Sequence, residues 1–227
     1  MRLKTYDSRE SLVADLSRHL VDSINRQLAH QPTASMIVPG GSSPQPVLAH
    51  LALQTLPYSR LELTLSDERC VDSRDRMSNE AMLRKTFLHG PASATHFIAL
   101  YNSRMSPQQS IEQTEGKLAS LHWPVAATLL GIGTDGHTAS LFASDPNIDS
   151  LFETGQRLAV ALPRTQPTAR ITLTPTALLN TEVLIFLGFG KEKRAVFEQL
   201  LNDTHPHLPA ARLISMCAVP VYFYWAP

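Results

Sequence analysis

Two residues in the middle of the sequence, Asp135 and His137, have the types and the spacing for acid–base chemistry. They lie in the glycine-rich segment Gly-Ile-Gly-Thr-Asp-Gly-His at 131–137, at the end of the apolar run 126–132. An imidazole with a pKa near neutrality can take a proton from water, and a nearby carboxylate can orient the ring and stabilise its protonated form. A core histidine would not need the glycines, and a simple turn would not need the histidine. The segment therefore predicts a catalytic His137 oriented by Asp135.

The same segment also matches the pattern Gly-x-Gly-x-x-Gly at 131–136, which is typical of dinucleotide sites. That pattern should open a regular helix and lead to an acidic residue about 20 positions later, at the end of a second strand. Here only a short helical segment fits before the Asp-Pro pair at 145–146, and Glu153 precedes Thr-Gly rather than ending a strand. The sequence disfavours a dinucleotide site.

A second glycine-rich turn follows the apolar run 34–38 and precedes a segment with helical spacing. It consists of Gly40, Gly41, Ser42, Ser43 and a proline. The glycines let a ligand approach the backbone closely, and free N–H groups at the start of the next helix attract an anion. This pattern predicts a phosphate site, although an ordinary glycine turn with a serine cap explains it equally well.

Charged residues follow the predicted strand 61–65 in the segment Ser-Asp-Glu-Arg at 66–69, which we expect to be a polar loop. Solvated surface charges are the usual explanation for such a cluster. However, open parallel sheets bind their ligands at the carboxyl ends of the strands, and this segment stands at such an end. Asp67 and Arg69 are therefore candidate site residues.

Two isolated basic residues complete the candidate set. Arg170 precedes the predicted strand 171–173, and Lys193 lies at the start of a predicted helix. A cation at a helix N-terminus opposes the helix dipole, so a bound anion would explain its presence. Two solvated surface cations are the alternative explanation. Lys191 and Arg212 are weaker candidates of the same kind.

Helices and strands that could position these residues alternate along the chain. The predicted helices span Ser8–Leu28, 47–52, 78–88, 106–118 and 191–201. The predicted strands span 34–38, 61–65, 95–100, 126–132, 157–162, 171–173, 183–187 and 219–225. This alternation predicts an α/β fold with a doubly wound, mainly parallel sheet and helices on both faces. A length of 227 residues favours one domain, 1–227.

The composition of the chain limits the classes of binding partner that we expect. Lys plus Arg and Asp plus Glu each number 20, so nothing favours binding to nucleic acid or to an anionic membrane. Two cysteines, Cys70 and Cys217, are too few for a disulfide framework and lack metal-ligand spacing. The N-terminus does not resemble a secretory signal, and no apolar window approaches the roughly 18 residues of a membrane span. We expect a cytoplasmic protein, a monomer or weak dimer, with a small charged substrate.

Taken together, five motifs resemble the 6-phosphogluconolactonase family, which shares its fold with glucosamine-6-phosphate deaminases and isomerases. They are Gly-Gly-Ser-Ser-Pro at 40–44, Asp-Glu-Arg at 67–69 with Ser-Asn at 78–79, Asp-Gly-His-Thr-Ala-Ser-Leu-Phe at 135–142, Arg-Ile-Thr at 170–172 and Gly-x-x-Lys at 190–193. The resemblance implies a Rossmann-like sheet and hydrolysis of 6-phosphoglucono-δ-lactone in the oxidative pentose phosphate pathway, with no metal or organic cofactor.

The resemblance also implies roles for individual residues. Gly40, Gly41, Ser42, Ser43, Arg170 and Lys193 would hold the phosphate, while Asp67, Arg69, Asp135 and His137 would surround the lactone ring, with His137 as the general base. In the deaminating relatives the third motif resembles Asp-Gly-His-Ile-Ala-Phe-Asn-Glu, and its glutamate acts with the histidine. Here that position is Phe142, which cannot transfer a proton.

Two other readings stay open at this point. One is a glucosamine-6-phosphate deaminase or a related isomerase, and the other is a non-catalytic sugar-phosphate sensor, although binding alone would not require Asp135 and His137. Pro39 and Ala143 depart from the family pattern, as does the aromatic C-terminus at 222–227, which leaves the register of the last strand open.

Overall fold

The computed structural model describes residues 1–202 and 204–227, which form ten strands and eight α-helices. The strands are β1 (Arg2–Thr5), β2 (Ala34–Val38), β3 (Leu61–Leu65), β4 (Asp67–Arg69), β5 (His96–Ile98), β6 (Ala127–Gly131), β7 (Leu158–Ala161), β8 (Arg170–Leu173), β9 (Leu184–Phe189) and β10 (Val221–Ala226). The helices are α1 (Arg9–Leu28), α2 (Gln45–Leu51), α3 (Asn79–Thr86), α4 (Pro107–Leu118), α5 (Ile148–Glu153), α6 (Pro175–Leu178), α7 (Gly190–Leu201) and α8 (Pro209–Ser215).

Seven of the strands form one parallel sheet in the order β1-β10-β9-β6-β2-β3-β5. Successive side chains of a strand point to opposite faces of the sheet. Because every residue of β2 is buried, both faces of the sheet are covered at this strand. This confirms the predicted α/β fold with a doubly wound, mainly parallel sheet.

The chain changes direction across the sheet between β2 and β6. From β2 it proceeds outward to β3 and β5, whereas from β6 it proceeds the opposite way to β9 and β10. The loops that follow β2 and β6 therefore diverge at their carboxyl ends and leave a crevice, which is where ligands bind in open α/β sheets. These two loops are the glycine-rich segments at 39–44 and 132–137.

Three further strands form a second, antiparallel sheet in the order β4-β8-β7. Strands β7 and β8 agree with the predicted strands 157–162 and 171–173, whereas β4 was not predicted. The prediction of a polar loop at 66–69 was wrong, because the backbone of β4 pairs with β8. Asp67 lies opposite Thr172, and Arg69 lies opposite Arg170. This pairing joins residues far apart in the chain, so the local sequence does not predict it. The pairing brings β8 to the crevice.

Helix ends follow the local chemistry of the sequence. The hydroxyls of Ser8, Ser78 and Ser106 cap α1, α3 and α4, and Ser106 forms a capping box with Gln109.

Strand β10 lies between β1 and β9, with Tyr222 opposite Ile185, which establishes the C-terminal register. Within the described residues, none of the helices has the length and apolar character required to cross a membrane.

Candidate active site

A cavity of about 280 Å³ opens at the crevice between the loops after β2 and β6. Elements far apart in sequence contribute to its wall, namely both glycine-rich loops, β4, the start of α3, β8 and α7. The lining residues are Pro39, Gly40, Gly41, Ser42, Ser43, Pro44, Ser66, Asp67, Arg69, Asn79, Gly131, Ile132, Gly133, His137, Ala139, Arg170 and Lys193. The structure thus brings together all the predicted site residues except Asp135, which contacts this group through His137.

His137 and Asp135 form a hydrogen-bonded pair. Nδ1 of His137 lies 2.5 Å from Oδ1 of Asp135, and the backbone N–H of His137 donates to the same oxygen at 3.2 Å. Because an ionised carboxylate only accepts hydrogen bonds, Nδ1 carries the proton, and the lone pair of a neutral ring lies on Nε2. A methyl group at Gly133 would overlap both side chains, so this position requires glycine.

The surroundings keep the imidazole neutral and the carboxylate charged. Burial lowers the pKa of His137 below its ordinary value, and this effect outweighs the attraction of Asp135 and Asp67, while Arg170 adds to the lowering. Burial alone would raise the pKa of Asp135, but its hydrogen bonds with His137 bring that pKa below the ordinary value. At neutral pH the ring is therefore a base that can accept a proton.

Asp67 and Arg170 form a second pair on the adjoining strands β4 and β8. Both side chains are 8% exposed, and Oδ2 of Asp67 lies 3.5 Å from Nη1 of Arg170. The explanation of a solvated charge cluster is therefore wrong for Asp67. Ser140 donates a hydrogen bond of 2.6 Å to Asp67, and Gln166 accepts one of 2.7 Å from Arg170. These bonds leave Nε of Arg170 buried without an acceptor within the described residues.

Glu68, which lies between the two charged site residues of β4, holds the start of α3 in place. Its carboxylate accepts hydrogen bonds from the backbone N–H groups of Asn79 at 2.8 Å and Glu80 at 2.7 Å, and from the hydroxyl of Ser78 at 3.0 Å. A negative charge at this position also complements the helix dipole. Sequence reasoning missed this role, because it depends on the path of the chain between β4 and α3.

The cavity wall also offers positive charge and backbone N–H groups without partners in the described chain. Gly41 has φ +90°, a conformation that favours glycine, and the backbone amides at 40–43 donate no hydrogen bond within the described chain. Lys193 donates a hydrogen bond to the carbonyl of Ile132, and burial lowers its pKa. Arg69 donates to the carbonyl of Met77, and its Nε is buried without an acceptor among the described residues.

The weaker cationic candidates lie elsewhere. Lys191 is exposed and does not line the cavity, so of the two lysines only Lys193 faces it. Arg212 pairs with Asp149 and Glu153 on α5.

The loop after β6 does not open a helix, since the next helix starts at Ile148, which removes the dinucleotide alternative. Across residues 1–202 and 204–227, no cluster of three or more His, Cys, Asp or Glu side chains is placed to hold a metal ion.

Comparisons with known proteins agree with this geometry. The family model described as glucosamine-6-phosphate isomerases/6-phosphogluconolactonase matches residues 7–220. The chain is 31% identical over 230 residues to a 6-phosphogluconolactonase of Caulobacter vibrioides, covering 100% of this chain and 97% of that protein. The chain therefore belongs to the family of glucosamine-6-phosphate isomerases and 6-phosphogluconolactonases.

Superposition on solved structures shows which known proteins share this fold. The crystal structure of a 6-phosphogluconolactonase from Shewanella baltica superposes with a TM-score of 0.94 at 27% identity, covering 100% of this chain and 98% of that chain. A monomeric glucosamine-6-phosphate deaminase superposes with a TM-score of 0.79 at 18% identity, covering 100% and 97% of the two chains. At this identity the similarity to the deaminase concerns the fold alone. The residues of the site must therefore distinguish lactone hydrolysis from deamination.

Proposed function

We propose that this protein hydrolyses 6-phospho-D-glucono-1,5-lactone to 6-phospho-D-gluconate, a step of the oxidative pentose phosphate pathway. The observation that carries the proposal is the presence, in one cavity, of a neutral imidazole held by Asp135 and of several N–H donors without acceptors. The first provides a base for the lactone end of the substrate, and the second suits the phosphate end.

The phosphate is assigned to the turn at 40–43, to Arg170 and to Lys193. The turn offers backbone amides without partners in the described chain, Lys193 is a half-buried cation, and the buried Nε of Arg170 lacks an acceptor among the described residues. All of them favour an anion, and for Arg170 the anion would supply the acceptor whose absence costs free energy. Binding energy at this end then places the lactone carbonyl near His137, which converts an encounter with water into a positioned reaction.

The chemical step follows from the tautomer of His137. Nε2 removes a proton from a water molecule as its oxygen attacks C1, and the carbonyl becomes an oxyanion that Arg69 and neighbouring N–H groups stabilise. The bond between C1 and the ring oxygen then breaks, and the imidazolium returns its proton to that oxygen. Asp135 stabilises the imidazolium, while Asp67 pairs with Arg170 and so holds this guanidinium in place for the phosphate.

The residue at position 142 favours hydrolysis over deamination. A glutamate at this position would take part in the proton transfers of aldose–ketose chemistry, whereas Phe142 cannot donate or accept a proton. Ester hydrolysis needs one group that takes and returns a proton, and His137 suffices for that role.

Two assays on the same preparation test the proposal. We expect the protein to accelerate hydrolysis of 6-phosphogluconolactone well above its spontaneous rate, with far lower kcat/KM for the lactone without phosphate. We expect no ammonia release from glucosamine 6-phosphate. Ammonia release at a comparable rate would indicate a deaminase, and binding of 6-phosphogluconate without turnover of the lactone would indicate a sensor.

The proposal extends to organisation and location. We propose a single catalytic domain over 1–227, acting as a monomer or weak dimer in the cytoplasm. One seven-stranded sheet includes strands from both ends of the chain, which supports a single domain. Light scattering coupled to gel filtration tests the assembly state, and activity at nanomolar concentration tests whether one chain is sufficient.

A further inference from the structure

Phe142 contacts two residues of the candidate site, His137 and Arg170. Its ring stacks on the imidazole of His137, with centroids 4.0 Å apart and planes at 21°. Cζ of Arg170 lies 5.2 Å from the centroid of the same phenyl ring. One apolar side chain therefore contacts both the base and the cation assigned to phosphate.

Burial of Phe142 differs from that of an ordinary core residue. Its side chain is 1% exposed, yet it does not belong to the contiguous apolar core of the described chain, which includes its neighbour Leu141. The ring instead packs against an imidazole and a guanidinium, both of which are favourable partners for an aromatic face. This placement points to a role in the site rather than in general stability.

We propose that Phe142 is a positioning residue for the lactonase reaction, whose ring sets the plane of His137 and the position of Arg170 relative to each other. The proposal rests on the proposed function. The Asp135 hydrogen bond restrains one edge of the imidazole, and the phenyl ring restrains one face, so that together they determine the direction in which Nε2 points.

The same contact shields the imidazole from water. Charged groups facing His137 come from its own loop (Asp135), from β4 (Asp67) and from β8 (Arg170), with Lys193 of α7 facing Asp135. Burial exceeds each of these charges in its effect on the pKa of His137. Removal of the phenyl ring admits water to the face of the imidazole, and the pKa of His137 then rises toward its ordinary value of about 6.5.

The test replaces the ring by a smaller apolar side chain and follows both turnover and the titration of His137. Phe142→Leu is compared with Phe152→Leu, a matched control, because Phe152 is also buried and packs under Arg212, away from the cavity. We expect kcat of Phe142→Leu to fall by about 10- to 100-fold. We also expect NMR of the imidazole Hε1 proton to show a raised pKa of His137 in Phe142→Leu alone.

A second measurement uses the unaltered protein and so does not depend on how the variant folds. A stacked phenyl ring shifts the Hε1 resonance of His137 upfield, and His137→Asn identifies that resonance among the nine histidines. An unshifted resonance would overturn the proposal. So would equal changes in turnover and titration for Phe142→Leu and Phe152→Leu. A protein without lactonase activity would overturn the proposed function instead, while the two NMR measurements would still decide the placement of the ring.

Discussion

His137 and Asp135 are separated by one glycine in the chain and by 2.5 Å between Nδ1 and Oδ1. This contact assigns the proton to Nδ1 and the basic lone pair to Nε2. It also opposes the effect of burial on the imidazole, since the carboxylate raises the pKa of His137 while burial lowers it. The two influences can be changed separately, and they move the pH profile in opposite directions.

Asp135→Asn removes the influence that raises the pKa of His137. The pKa of the ring falls further, so the acid limb of the kcat/KM profile, along which activity is lost as the ring becomes protonated, moves to lower pH. We expect kcat on the plateau to fall by about 10- to 100-fold, because the imidazolium loses its counter-charge. Initial rates across the acidic range, corrected for spontaneous hydrolysis, provide the measurement. An acid limb displaced to higher pH would contradict this electrostatic account.

Gly133→Ala places a methyl group where the imidazole and the Asp135 carboxylate now lie. The pair must move apart, and we expect kcat to fall by about 100-fold while the protein remains folded. Gly116→Ala in α4 is the control, since a methyl group there meets nothing within 4 Å. Kinetics and circular dichroism of both variants separate displacement of the pair from unfolding. Unaltered turnover in Gly133→Ala would show that the pair is not needed in this arrangement.

Lys193→Ala and Lys191→Ala compare two lysines on the first turn of α7, of which only Lys193 lines the cavity. A hydrogen bond to a charged group contributes about 1.5–3 kcal/mol, which corresponds to roughly a 10- to 100-fold rise in KM for Lys193→Ala. We expect inhibition by inorganic phosphate to weaken in parallel and Lys191→Ala to leave both quantities unchanged. Equal effects of the two substitutions would remove Lys193 from the phosphate site.

Glu68→Gln tests the connection between β4 and α3. The carboxylate accepts hydrogen bonds with both oxygens, whereas an amide has one acceptor oxygen, so backbone N–H groups at the start of α3 lose a partner. We expect the free energy of unfolding to fall by about 1–3 kcal/mol. Glu112→Gln, on the exposed face of α4, should change it by less than about 0.5 kcal/mol. Urea denaturation of both variants measures the difference, and equal midpoints would contradict the assigned role.

Much of the fold could be predicted because its signals are local. Strand β2 is a largely apolar run, β3 alternates leucine with polar residues, and α4 begins at a serine followed by proline, so their bounds agree with the prediction. Strand β4 could not be predicted in this way. Three charged residues become a strand only because β8, about a hundred positions later, supplies the hydrogen-bonding partner.

The site shows the same division. The loops after β2 and β6 could be found from their glycines and their place at strand ends. The position of Phe142 could not, because the chain reverses between 136 and 142 through positive φ angles at Gly136 and Ala139. This reversal places the phenyl ring under the imidazole, and sequence spacing alone does not indicate it.

The most direct test of the central claim is the turnover of His137→Asn with 6-phosphogluconolactone, measured against the spontaneous rate. General-base catalysis accounts for about a 10²- to 10⁴-fold acceleration, so we expect kcat to fall by that factor while KM changes little. Phosphate binding, which involves other residues, should persist. A variant that retains nearly the full kcat of the unaltered protein would contradict the account.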